Sequence, residues 1–160
     1  MHLILGRLDL GAKGIWYPIS LVVILILFIL FMKKRQLTWR QIYATFGVVC
    51  AVTWIVDMIV SIYFDAYRFG TNHSIGLADL LALSFIPSCL SIIYLNFRTK
   101  SNKWRMLVGF TVLSLAIELI ATRVQYFQLK YWKLYYSLVM YLIIYGCLLP
   151  LHLHVLKSGV

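Results

Sequence analysis

The chain has 160 residues, of which 62% are hydrophobic and 12% charged, with 15 Lys and Arg against 5 Asp and Glu. A soluble domain is roughly half apolar and a quarter charged, so this composition excludes a water-soluble globule and makes lipid the expected solvent. The excess of bases could signal nucleic acid, but their placement along the chain points to membrane topology and anionic lipid head groups instead.

Five apolar stretches, at about 15–32, 42–64, 75–97, 104–127 and 134–155, approach or exceed the roughly 20 residues that a spanning helix needs. They predict an all-α polytopic transmembrane bundle. The dyad alternation of a lipid-embedded strand is absent, and lipid tolerates only helices or closed barrels. No connection is longer than about a dozen residues, which leaves one integral membrane domain over 1–160 and no separate soluble domain.

The first stretch, IWYPISLVVILILFILFM, lacks a small-x-small cleavage site and runs directly into Lys33, Lys34 and Arg35, so it reads as a retained anchor and not a signal peptide. The second carries Asp57 in an otherwise apolar run, with Thr53 and Ser61 four residues to either side. The third begins near Asp79, places Ser84, Ser88 and Ser91 on one face, and contains Pro87, which either opens a cavity or eases packing. Along the fourth, Thr111, Ser114, Glu118, Thr122 and Gln125 make one polar stripe, and Arg123 stands about 140° round the helix from Glu118. The fifth holds His152 and His154, whose spacing puts them on different faces, so no metal site is expected. Cys50, Cys89 and Cys147 all fall inside spans without paired spacing and read as buried apolar residues. No cofactor is implied.

The loops after the first and third spans contain Lys33, Lys34, Arg35, Arg40, Arg98, Lys100, Lys103 and Arg105, eight of the fifteen bases. With Lys157 that side collects nine, against five on the other, and the positive-inside rule then puts the N-terminus outside and the C-terminus in the cytoplasm. Trp and Tyr near the span ends fit an interfacial belt.

Asp57, Asp79, Glu118 and Arg123 all fall within spans. At 1.5 Å per residue, Asp79 and Arg123 are about 6 Å deep, Asp57 about 10 Å and Glu118 about 13 Å from the outer face. An unpaired charge near the bilayer centre costs about 3 kcal/mol, so the four are expected to face inward. The expectation is a polar seam where the second and fourth helices meet, with Arg123 bridging Asp79, Asp57 or both. Two carboxylates without a second cation also imply that Asp57 or Glu118 is protonated at neutral pH. The same residues serve equally as interhelical hydrogen bonds that hold the bundle together.

The stretches YFDAYRFG, DLLALSFIPSCLSIIYLNF and YFQLKYWKLYYSLVMYLIIY resemble an uncharacterised family of small polytopic membrane proteins of endospore-forming Firmicutes, most distinctively in WKLYYS, Trp132 to Ser137. The resemblance implies a Gram-positive plasma membrane and about five helices, and it brings no activity. Asp65, Tyr67, Asp79, Trp132, Lys133 and Tyr135 stand in the resembling stretches, where they would line the outer mouth of the seam or form an aromatic belt with snorkelling lysines.

No GxSxG, HExxH, phosphate loop or CxxC occurs, which weighs against an enzyme. The leading expectation is a small binding, sensory or accessory subunit, with room for a lipid or small-molecule ligand, a protein partner or a second copy. Its alternatives are a membrane-embedded enzyme on a lipid or isoprenoid, with Asp57 and Glu118 as acid and base, and, more remotely, a proton-coupled transporter.

Overall fold

A computed structural model describes residues 14–63, 67–69, 77–129 and 133–158. The chain is helical almost throughout these residues. α1 is Trp16–Phe31, α2 Trp39–Asp57, α3 Leu77–Phe97, α4 Lys103–Arg123, α5 Leu134–Ile143 and α6 Leu149–Ser158. A π-helical segment, Met58–Tyr63, prolongs α2, and a second, Ile144–Leu148, joins α5 to α6 in one rod. The five expected stretches are thus five helical rods, four of them long and apolar enough to cross a membrane and the first, α1, a shorter apolar helix of 16 residues.

Local chemistry sets the ends of these rods. α1 tolerates Pro18 because the amide missing from a first turn would have no partner there in any case. Thr38 and Gln41 form a reciprocal capping box that starts α2 three residues before the apolar run suggests, the Thr38 amide donating to Gln41 Oε1 at 3.0 Å. Pro150 cannot donate to the carbonyl four residues back and its ring crowds that group, which accounts for the wider π turn just before it.

α3 is the axis of the bundle. Its apolar stretch is 56% buried, whereas those of the rods beginning at α2, α4 and α5 are 17%, 22% and 17% buried. α1 and α2 both pack on α3, and α4 packs on α5 and on the second π segment. The expected meeting of α2 with α4 is therefore not how the bundle is arranged. The serine face of α3 explains why: Ser84, Ser88 and Ser91 are all buried, and small side chains let another backbone approach closely. Trp54 of α2 donates from Nε1 to Ser84 Oγ at 3.1 Å, and Ser88 Oγ lies 3.5 Å from the Phe46 carbonyl of α2.

α1 buries one stripe, Pro18, Val22, Leu25 and Ile29, and exposes the rest of its apolar surface, including Phe31 at 86%. Water would not tolerate such a surface, whereas lipid makes it inexpensive. At the end of the bundle where α2 finishes and α3 starts, strand β1, Tyr67–Phe69, pairs antiparallel with β2, Phe127–Leu129, with Arg68 opposite Gln128. This short ribbon links two interhelical connections that composition reads only as loops.

Gly14 precedes α1 at φ +75°, and a Cβ there would come within 2.5 Å of the Val124 carbonyl oxygen beyond α4. Both the left-handed conformation and the close backbone approach favour glycine. Gly14→Ala is expected to cost about 2 kcal/mol of stability, read as a lower melting temperature in detergent.

Candidate functional site

Periodicity and charge predict one seam for the intramembrane polar residues, but the structure distributes them over several interhelical ties. Asp79 occupies the first turn of α3, where the aligned backbone dipoles favour an anion, and it is 4% exposed. Tyr126, in the turn beyond α4, donates from its hydroxyl to Asp79 Oδ1 at 2.7 Å. The turn is shaped by Gln125 at φ 61° and by the Tyr126 amide donating to the Ala121 carbonyl.

Glu118 accepts at both carboxylate oxygens, from Ser137 Oγ at 2.7 Å and from the Tyr141 hydroxyl at 3.0 Å. Ser137 and Tyr141 are four residues apart on α5, so they present two hydroxyls from one face to a single carboxylate on α4. Asp57 is buried as the last residue of α2, where the backbone passes into π geometry.

Arg123 does not join these groups. It is exposed at the C-terminus of α4, and among the described residues it forms no ion pair with Asp57, Asp79 or Glu118. Helix phase turns it away from the Glu118 stripe. The C-terminal end of the helix dipole also favours a cation there, where a long side chain can reach the interface. Of the expected outer-mouth residues, Asp65 and Trp132 lie outside the described residues, and Tyr67 is described only as backbone of β1. Lys133 and Tyr135 are exposed at the start of α5, and the Tyr135 ring lies 4.1 Å, centroid to centroid, from Tyr136.

Several ties have no counterpart in the sequence reading. Asn96, 0% exposed near the end of α3, holds the whole segment after α1: its Oδ1 accepts from the amides of Arg35 at 2.9 Å, Gln36 at 3.2 Å and Leu37 at 3.5 Å, and its Nδ2 donates to the Lys33 carbonyl at 3.0 Å. Gln36 donates to the Arg98 carbonyl and accepts from Lys157 Nζ at 3.1 Å, so the basic segments at 33–35 and 98 and the end of α6 form one surface. An asparagine at the end of an apolar run reads as a boundary residue, which is why Asn96 escapes notice.

Deeper in the bundle the Tyr94 hydroxyl donates to the Tyr145 carbonyl at 2.6 Å, within the second π segment, and the Tyr145 hydroxyl lies 2.8 Å from Ser114 Oγ. His152 Nε2 lies 3.2 Å from Thr45 Oγ1, tying α6 to α2.

α1 and α2 both rest on α3, and an apolar cleft of about 280 Å³ lies between the three helices. Its floor is the buried Cys89 and Ile92 of α3, its walls include Ile29 and Ile42, and Leu30, Trp39 and Tyr43 are its exposed lining residues. Neither Glu118 nor the two buried aspartates line it. Compared with known protein families, with curated proteins and with solved structures, the chain shows no match to any of them.

Proposed function

We propose that the chain is a five-span protein of the plasma membrane, N-terminus outside and C-terminus in the cytoplasm, acting as a small non-enzymatic binding, sensory or accessory subunit. α1 is about 24 Å long, short of a hydrocarbon core of about 30 Å, and a modest thinning of the bilayer with snorkelling of Lys33, Lys34 and Arg35 accommodates the difference. The clustering of bases on the surface that joins the ends of α1, α3 and α6 supports the orientation.

The observation that carries the non-enzymatic reading is the way the carboxylates are used. Glu118, one of the two carboxylates that the enzyme reading needs, accepts from two hydroxyls of α5 and so joins elements, and neither it nor Asp57 lines the apolar cleft. An acid and base for lipid chemistry would need to converge on one accessible cavity.

Topology reporters fused after Val160 test the frame. A cytoplasmic reporter should be active and a periplasm-type or export-dependent reporter silent, with the chain resisting alkaline carbonate extraction of membranes. Activity only on the outer side overturns the orientation, and release by carbonate overturns the membrane assignment.

A further inference from the structure

The cleft between α1, α2 and α3 meets the basic surface at one point. Trp39 lines the cleft at the first residue of α2, and Lys34 Nζ lies 3.6 Å above the centroid of its indole ring. Lys34 is exposed, so its ammonium is available beside the exposed Trp39 end of the lining. Behind it Asn96 holds the backbone from Lys33 to Leu37, which presents the Lys33, Lys34 and Arg35 run in a set conformation. The cleft continues from Trp39 to Phe46 along α2, about 10 Å or two helical turns toward the bundle centre, over lining that carries no charged residue.

Charge decides what fits. The five acids are Asp9, Asp57, Asp65, Asp79 and Glu118, and none lies within the 33–40 or 98–105 segments, which hold eight bases. An apolar slot that opens beside an exposed, uncompensated cation on a preorganised loop matches a molecule with an apolar tail and an anionic head.

We propose that this cleft binds one anionic phospholipid of the surrounding bilayer, with an acyl chain along the slot and the phosphate beside Lys34. The proposal rests on the membrane-spanning reading above and names the ligand of a binding subunit. Trp39 serves twice: its ring face holds the Lys34 ammonium and its edge borders the chain.

The test uses the full chain in mild-detergent micelles mixed with either dioleoyl phosphatidylglycerol or dioleoyl phosphatidylcholine, read by native mass spectrometry. One phosphatidylglycerol per chain should be retained in preference to phosphatidylcholine. Lys34→Ala should lower that retention about fivefold, the factor corresponding to about 1 kcal/mol for one base at an anionic surface. Lys34→Arg should restore it, and Lys100→Ala, in the turn between α3 and α4, should leave it unchanged. Leu30→Trp, at an exposed position of the lining, should plug the slot and reduce retention. Should that variant misfold, phosphatidylglycerol with brominated chains provides a second reading on the unmutated protein, by quenching the tryptophan emission that Trp39→Phe removes.

Equal retention of the two lipids overturns the proposal, as does an equal loss in Lys100→Ala, which would indicate a diffuse basic surface, or unquenched Trp39. A dimer that Leu30→Trp dissociates and that excludes phosphatidylglycerol also overturns it, by assigning the cleft to a second copy. Carbonate release of the chain from membranes is a separate result, and it removes the underlying reading instead.

Discussion

Asn96→Ala is expected to destabilise the folded chain by about 2–3 kcal/mol and to loosen the 32–37 segment before any other part of the bundle. The side chain it removes is fully buried and accepts from as many as three consecutive amides while donating to a carbonyl of the same segment. A net hydrogen bond contributes about 0.5–1.5 kcal/mol, and a buried polar group left without a partner costs about 1–3 kcal/mol. The longest contact, to Leu37 at 3.5 Å, adds little. Leu37 itself is 3% exposed, so its amide has poor access to replacement water. Asn96→Asp keeps the acceptor that the amides converge on but sets an oxygen against the Lys33 carbonyl in a fully buried site, and should not recover the stability of the unmutated protein. Thermal melts in detergent give the magnitude, and amide hydrogen exchange at Arg35, Gln36 and Leu37 locates it. Unchanged exchange at those amides in Asn96→Ala would mean that Asn96 does not hold the segment.

The rods themselves were legible because lipid imposes so strict a rule. Every backbone polar group must be satisfied within the segment, and an apolar run of span length has essentially one outcome. Boundaries followed less well where capping chemistry intervened, as at Thr38 and Gln41. The inward orientation of Ser84, Ser88, Ser91, Thr111 and Ser114 also followed from periodicity. Partner choice did not. Periodicity states which residues share a face but not which helix that face meets, so the stripes on α2 and α4 suggest a mutual contact whereas each meets a different neighbour. Charge alone points Arg123 toward the aspartates, whereas its place at the last residue of α4 lets it reach outward at little cost. Asn96 and the Tyr94–Tyr145–Ser114 chain were illegible for a related reason: a buried amide or tyrosine is spent on backbone groups from segments distant in sequence, and no local pattern encodes that pairing.

Glu118 is where the choice between a structural tie and a functional site becomes measurable. Glu118→Ala removes the acceptor from two hydroxyls on α5 and is expected to cost about 2 kcal/mol, toward the upper end of the range for interhelical hydrogen bonds in lipid because two are lost together. Ser137 is 4% exposed, so its hydroxyl cannot readily turn to water. Glu118→Gln keeps the side-chain shape and one strong acceptor, while its amide must face a hydroxyl that can accept in return, and the expected cost is about 1 kcal/mol. Ser137→Ala and Tyr141→Phe each remove one donor and should cost less than Glu118→Ala. If Glu118 acts only as a tie between α4 and α5, any cellular phenotype of these four variants should follow their melting temperatures in order. A proton-handling role predicts a different pattern: Glu118→Gln, close to the unmutated protein in stability, would lose the phenotype as completely as Glu118→Ala. The two hydroxyl variants, which leave the carboxylate in place, would largely retain it. The carboxylate-to-amide exchange separates the two because it changes the titratable proton while disturbing the packing least.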